Sequence, residues 1–347
     1  MKRPFVSVIV TTYNYGRFIE ECIDSVLSQD YPLDLMEIVV VDDGSTDDTA
    51  ERVKKYGSKI RYFHKPNGGQ ASALNLAFAR ARGEIVSLLD GDDFFLPGKV
   101  ARVAEVFERD PSLGMFYHPF LEFDMATNER RVSKFPLFSG SVFENPGKFL
   151  GYAGQGTCVS FRRKFVDRLL PIPEEIRMLA DGYLGSLIVF VAPILSLPEC
   201  LSGYRFHGKN AYHVDEVSSD SRRDRLRLYR VEFAAMLRWL ASTGFNRKQL
   251  AVRLFLEWWR VHLEWEEFPV RPPGRLRFFW WTLRKNRTYS VTQSWRFTLF
   301  NYLTSFSALL FGYSKANEIW RQRAMEATKR AHRAFFARRS SHDPTAC

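Results

Sequence analysis

The sequence predicts an α/β fold: a mostly parallel sheet flanked by helices, followed by a helical C-terminal extension. Three observations predict it. Short β-branched runs alternate with helical patterns through the first hundred residues, the order of a doubly wound sheet. Each run ends in a polar cluster, where such sheets bind ligands. Charge then divides the chain. Residues 1–214 carry 25 Lys+Arg against 27 Asp+Glu, net −2, whereas 215–347 carry 25 against 12, net +13. The two stretches read as a near-neutral globular body (1–214) and a basic, aromatic-rich helical region (215–347).

An apolar-type fraction of 46% and a charged fraction of 26% exclude a disordered or collagen-like chain. Cys22, Cys158, Cys200 and Cys347 lie far apart without a CxxC pair. They exclude a disulfide framework or a zinc site and point to a reducing compartment. Met1, Lys2 and Arg3 precede an apolar run too short for a secretory signal, and 6–12 reads instead as a buried first strand. Phe18, Ile19, Cys22, Ile23, Val26 and Leu27 recur at helical spacing. Residues 38–41 form a second strand, and 45–55 a second helix opened by Ser/Thr/Asp capping chemistry. A third strand follows at 60–63, then an Ala-rich helix at 71–81 with Gly83 as its stop. The fourth strand, 84–89, runs into Asp90-Gly91-Asp92-Asp93, and Pro97 opens a helix that reaches Phe107. Between 115 and 214 the pattern is less regular, with helices expected over 161–170 and 181–191 and a strand over 201–207. Long basic helices dominate beyond 220, broken by PVRPPG at 269–274. Residues 297–314 carry no charge, the lower edge of a spanning length, but Thr298, Asn301, Thr304, Ser305 and Ser307 moderate them. They read as a buried or interfacial helix.

Asp90, Asp92 and Asp93 carry the sharpest chemical signal. Three carboxylates in four residues repel one another unless something positive sits with them, which suits a hard divalent cation completed by phosphate oxygens and water. A solvated acidic turn, or a helix N-cap ahead of Pro97, is the alternative. Asp42, in Asp42-Asp43-Gly44-Ser45, can accept from a base N–H or a ribose hydroxyl, or Asp43 and Ser45 can simply cap the next helix. Gly68 and Gly69 can offer backbone N–H groups to phosphate at a helix N-terminus. Neither GxGxxG nor GxxxxGK[ST] is present, so the dinucleotide fingerprint and the P-loop are both missing.

These motifs occur in one order: VIVTTYN at 8–14, VDDGSTD at 41–47, NGGQASALN at 67–75 and LDGDD at 89–93. The series resembles the glycosyltransferase family 2 pattern on a GT-A fold, over about residues 4–214. The resemblance implies an inverting transferase that uses a nucleotide-diphospho-sugar, with UDP-sugars favoured. By position it implies that Thr11, Tyr13 and Asp42 line the base pocket, with Asn67 and Gly69 in a second nucleotide-contacting loop. Asp90-Gly91-Asp92 matches the DxD motif, with Asp90 facing the ribose and Asp92 binding Mn2+ or Mg2+ at the diphosphate. Asp181 matches the catalytic acidic motif and is implied as general base, although Ala180 stands where many members carry Glu. On its own, Asp181 reads rather as the N-cap of its helix. His207, in YRFHGKN at 204–210, is implied as a further metal or diphosphate contact, and Gln155 and Thr157 as acceptor contacts. The Gln-x-x-Arg-Trp motif of processive synthases is missing, which favours addition of a single sugar to a hydroxyl acceptor in cell-surface glycan or glycolipid synthesis.

The basic region mixes Phe278, Phe279, Trp280 and Trp281 with Lys and Arg, and Trp320, Ala324, Ala327, Ala331 and Phe335 recur on one helical face. Basic aromatic helices suit an anionic membrane surface, here through 270–347, and with it a lipid-linked acceptor. A solvated basic face over a small core is the alternative. No nucleic-acid recognition motif is present, and no such partner is expected. A cytoplasmic protein, peripheral at the inner face of the membrane, is the expected setting. Two other functions compete: a nucleotidyltransferase, which also uses Asp-bound metal, and a catalytically inactive protein that binds sugar nucleotides or docks on membranes.

Overall fold

The computed structural model describes residues 3–133, 137–146, 156–208, 210 and 219–289. The chain forms two compact units, Met1–Val217 with Arg227–Ala251, and Ser218–Leu226 with Val252–Cys347. The first unit opens with β1 (Val6–Thr12), α1 (Gly16–Leu27), β2 (Met36–Asp42), α2 (Thr49–Lys54), β3 (Arg61–His64), α3 (Gln70–Arg80) and β4 (Ile85–Asp90). It continues through β5 (Phe94–Phe95), α4 (Lys99–Arg109), β6 (Met115–Tyr117), β7 (Leu121–Asp124), β8 (Arg130–Val132) and β9 (Ser139–Gly140). Next come β10 (Val159–Arg162), α5 (Arg163–Val166), α6 (Ala180–Ile188), β11 (Ile194–Ser196) and β12 (Ser202–Phe206). Helices α7 (Ser219–Ser242), α8 (Leu250–Glu267) and α9 (Arg275–Tyr289) complete the described chain.

Strands β3-β2-β1-β4-β10-β6-β11-β9 form an eight-stranded sheet. Its first four strands are parallel, and β10 runs antiparallel between β4 and β6. Every residue of β2 is buried, as a strand covered on both faces requires. The apolar stripe of α1 (Phe18, Ile19, Cys22, Ile23, Val26) is buried too, and most of it joins the core that β1 and β4 also enter. The parallel register aligns Thr11 with both Val41 and Asp90, and Thr12 with Asp42. The polar ends of three strands therefore open on one edge of the sheet. A second sheet, β5-β12-β7-β8, hydrogen-bonds β12 to the strand just after the acidic loop.

Three expectations change. The 45–55 helix begins only at Thr49, because Ser45 and Thr46 are held elsewhere: Ser45 donates its N–H to Asp42 Oδ1 at 2.7 Å, and Thr46 donates to Asn14 Oδ1 at 2.7 Å. Residues 161–170 do not form one helix. Phe161 lies in β10, fully buried between β4 and β6, so sheet pairing overrides local pattern. Gly83 does not stop α3, which ends at Arg80 with Ala81 already extended. Its role is close packing, since a Cβ there would sit 2.4 Å from the Ser7 nitrogen. The second sheet was not foreseen.

In the second unit, Val261, Phe268, Phe278 and Trp281 form a small core, with Trp265 stacked on Trp281 at 5.3 Å. The break at 269–274 falls between α8 and α9. Among the described residues, no helix is long and apolar enough to cross a membrane. Residues 297–314 and the 320–335 face lie outside the described residues.

Candidate active site

The acidic loop is assembled around one buried arginine. Asp90 ends β4, and the Asp93 N–H donates to the Asp90 carbonyl at 2.9 Å, closing a tight turn. Only glycine fits at position 91, where a Cβ would meet Thr12 Oγ1 at 2.7 Å. Arg205, 2% exposed on β12, donates its backbone N–H to Asp93 Oδ1 at 3.0 Å and its guanidinium to the Asp92 carbonyl at 2.6 Å. The same guanidinium lies over the Phe94 ring and forms a 2.6 Å ion pair with Glu21. The Thr157 hydroxyl donates to Asp93 Oδ2. Burial, with neighbouring carboxylates adding to it, pushes the Asp93 carboxyl well above the ordinary range. Asp90 is raised in the same way, first by desolvation and then by Asp181 and Asp92.

Asp92 faces His207, with Asp92 Oδ2 3.0 Å from His207 Nε2. The imidazole packs on Phe18 at 4.7 Å and meets Tyr15 edge-on at 5.8 Å. Tyr15 hydrogen-bonds Asp92; burial and the adjacent carboxylates drive its phenol far above the usual value, so it stays a neutral donor. Two ligands adjacent on an octahedral cation at about 2.1 Å lie about 3 Å apart. The Asp92–His207 pair has that separation, and the carboxylate and imidazole suit a divalent ion. Among the described residues, no group of three or more His, Cys, Asp or Glu could hold a metal ion. The remaining positions of such a shell would fall to diphosphate oxygens and water.

The nucleotide-side residues cluster at the ends of β1 and β2. Thr11 hydrogen-bonds the Asp90 side chain, and Tyr13 is 46% exposed just beyond β1. Asp42 is fully buried and accepts from Ser45 N–H and from the Tyr62 hydroxyl at 2.8 Å. The Gly68 and Gly69 N–H groups, expected at a phosphate, are instead bonded to the Asp43 carboxylate at 2.9 and 2.7 Å. Lys65 pairs with the same carboxylate at 2.7 Å. Asp43 is therefore no helix cap: it is an internal anion that shapes the 65–69 loop. Asn67 donates to the Asp43 carbonyl and accepts from Arg177.

Asp181 occupies the first turn of α6. Leu179 ahead of it adopts φ +67°, a left-handed conformation that costs a bulky side chain about 1–2 kcal/mol. Gln70, at the start of α3, accepts from the Ala180 N–H at 2.9 Å and hydrogen-bonds Asp181. Burial raises the Asp181 carboxyl, while N–H groups of Gly156 and Gly182 and the Gln70 side chain favour its charged form. The charges of Asp92 and Asp181 both act on Asp90 and on the buried phenol of Tyr204. The structure thus brings Asp90, Asp92, Asp181 and His207 to one edge of the sheet. Thr157, expected at the acceptor, is buried beneath the acidic loop. Its hydroxyl bonds Asp93 and its carbonyl takes the Lys99 ammonium at 2.6 Å, so the structure leaves it no open face. Gln155 lies outside the described residues.

Sequence reasoning missed Arg205 in the site, and the buried acid Glu232 of α7. Arg205 stands in a stretch already flagged for His207, and an arginine inside a predicted buried strand was its available signal. Glu232 is 2% exposed on α7. An acid in the apolar stripe of an otherwise amphipathic helix was the signal there.

The family model for Glycosyl transferase family 2 matches residues 7–170. An uncharacterized glycosyltransferase of Nostoc sp. (strain PCC 7120) is 32% identical over 230 residues, covering 63% of this chain and 70% of that protein. The chain spans 35%, 22% and 33% of the next three curated relatives. S. aureus TarS 1–349 in complex with UDP-GlcNAc has a similar fold: TM-score 0.55 at 21% identity, covering 91% of each chain. A mannosyltransferase of Pyrobaculum calidifontis in complex with GDP-Man and Mn2+ gives TM-score 0.52 at 20% identity, covering 96% of this chain and 84% of that one.

Proposed function

The chain belongs to glycosyltransferase family 2, and from that premise we propose that it transfers one sugar, with inversion, from a nucleotide-diphospho-sugar to a hydroxyl acceptor. One observation carries the reading: Asp181 and His207, distant in the chain from the 90–93 loop, come to its acids at the strand ends, with His207 3.0 Å from Asp92. In this reading Thr11, Tyr13, Asp42, Asn67 and Gly69 hold the nucleotide. Asp90 and Gly91 face the ribose and diphosphate. Asp181 takes the acceptor proton as that oxygen attacks the anomeric carbon from the side opposite the diphosphate. Asp92 and His207 would hold Mn2+ or Mg2+, which when bound stabilises negative charge on the departing diphosphate. The UDP-GlcNAc and GDP-Man complexes of the structural relatives support a sugar-nucleotide donor, and the Mn2+ of one supports the metal.

The setting proposed is cytoplasmic and peripheral, with the basic region of 270–347 on an anionic membrane that carries a lipid-linked acceptor. Support comes from α9, which holds Arg275, Arg277, Arg284, Lys285 and Arg287, has no acid, and exposes Leu276 and Trp280.

A panel of UDP- and GDP-sugars with Mn2+ tests the chemistry through nucleoside-diphosphate release. Asp92→Ala should abolish metal-dependent nucleotide binding. Asp181→Asn should keep binding and lose turnover by about 100-fold or more. Wild-type turnover in Asp181→Asn would refute the base assignment.

A further inference from the structure

Lys99 opens α4, yet its side chain is fully buried. Its Nζ donates to the Thr157 carbonyl at 2.6 Å and to Ser202 Oγ at 2.8 Å, and lies 3.9 Å over the Phe95 ring. Phe95 and Ser202 are register partners in the second sheet, whereas Thr157 leads into β10 of the first. Lys99 thus ties the two sheets together directly behind the acidic loop that joins β4 to β5. Its partners are a carbonyl, a hydroxyl and a ring, so its burial is costly. The carbonyl does not need it, since Ser202 Oγ already donates there at 2.9 Å. The groups it holds lead to the acidic loop. Thr157 sits in the short turn Gly156–Cys158, and its hydroxyl donates to Asp93 Oδ2 and accepts the Asp90 N–H at 3.4 Å. Gly156 packs so closely on the Asp90 side chain that a Cβ would lie 2.8 Å from Oδ2. Asp93 takes the Arg205 N–H at 3.0 Å, and Arg205 holds the Asp92 carbonyl. One run of bonded groups therefore leads from Lys99 to both ends of Asp90-Gly91-Asp92.

Resting on the transferase reading above, we infer that Lys99 is a positioning residue for donor binding: it clamps the Gly156–Cys158 turn to the second sheet and so holds Asp90 and Asp92 in the arrangement that receives metal and diphosphate. It acts through Thr157 and touches neither ligand. Asp90, Asp92 and Asp93 repel one another, and a loop without rigid backing would relieve that repulsion by opening. Burial pulls the Lys99 ammonium down to about 7. A neutral amine keeps N–H donors for the same two partners, so the clamp does not hinge on its charge.

Two measurements on the full chain test this. In ligand-free protein, amide hydrogen exchange across 90–95 should be about tenfold or more faster in Lys99→Met than in the wild type, with the 6–12 strand unchanged. Unchanged exchange across 90–95 would overturn the clamp. Binding is then followed with UDP and with GDP, each with Mn2+. Lys99→Met should weaken Mn2+-dependent binding of whichever nucleotide the wild type takes by about 10-fold or more, with no loss of Tm, since an apolar chain of similar length replaces a buried polar group. Ser202→Ala, which removes one of the two anchors and keeps Lys99, should show both effects at smaller size. Thr157→Val cuts the next link, so combining it with Lys99→Met should weaken binding no further than the worse single variant. Additive losses in the double variant would overturn the inference. So would a fall in Tm with wild-type nucleotide affinity, the mark of a purely structural lysine. A wild type that binds neither nucleotide with Mn2+ would instead overturn the transferase reading, and the exchange rates would still decide the clamp.

Discussion

Asp181 is subject to opposing influences that set the pH at which it can act. Burial raises its carboxyl above the ordinary aspartate value, and the surrounding N–H groups and Gln70 lower it again. The proposed base works in its ionised form, so on that proposal turnover should rise with pH through this raised value and then level off. Gln70→Ala removes a group that favours the charge, so the rising limb of the kcat–pH profile should move to higher pH. A limb that stayed in place or moved down would refute the role given to Gln70. Glu232 carries a linked consequence for stability. Its folded-state value is raised, so its contribution is complete below about pH 4.3 and is lost as pH rises through the folded value. The Tm of Glu232→Leu should therefore gain on that of the wild type as pH increases. Asp90, Asp92 and Asp181 were legible as candidates because acids at strand and helix ends stand out. The buried charges Arg205 and Glu232 were not legible, because one charge inside a strand or helix pattern looks ordinary until its burial is seen.

The loop from 67 to 70 ties the two halves of the site together. One side of it is bonded to Asp43, and on the other Gln70 N–H donates to the Arg177 carbonyl at 2.8 Å and its side chain reaches Ala180 and Asp181. Gly69 makes this possible: it has φ +88°, and a Cβ would lie 2.8 Å from the Arg177 backbone. Gly69→Ala should therefore cost about 2–4 kcal/mol and shift α6 with Asp181, lowering kcat together with Tm. Gly98→Ala is the control. Its φ is +81° with open space around it, so it should cost only about 1–2 kcal/mol and leave kcat intact. Equal losses of Tm and kcat in both variants would refute the bridge. The first four strands were legible because each is a short β-branched or aromatic run with its own helix after it. Strand β10 was not, since its Val159–Arg162 pairing partners lie in β4 and β6, far away in sequence. The second sheet, with a two-residue edge strand, depends on contacts that no local window contains.

At the scale of the molecule, the excess charge falls in a region that also exposes two large apolar side chains of α9. On α9, Phe278 and Trp281 turn into the core of the second unit, while Leu276 (66% exposed) and Trp280 (63% exposed) sit one turn apart with Arg275, Arg277 and Arg284 around them. Trp280→Ser with Leu276→Ser should weaken binding to anionic phosphatidylserine vesicles about tenfold or more, from lost apolar burial alone. Unchanged sedimentation with those vesicles would refute the membrane proposal. The charge asymmetry was fully legible from composition. What it serves was not, because net charge speaks to association and not to a particular surface.

The clamp formed by Arg205 also has a history during synthesis. The acidic turn leaves the ribosome 112 residues before the arginine whose backbone and guanidinium hold it, a delay of roughly 6–22 s at about 5–20 residues per second. Through that interval β1 to β4 can pair, yet the nascent turn has neither Arg205 nor its β12 partner strand to hold it. The acidic edge is therefore completed late, and a ribosome stalled before residue 205 would carry a paired sheet whose acidic turn is still repelling itself, open to any cation in the surrounding solution.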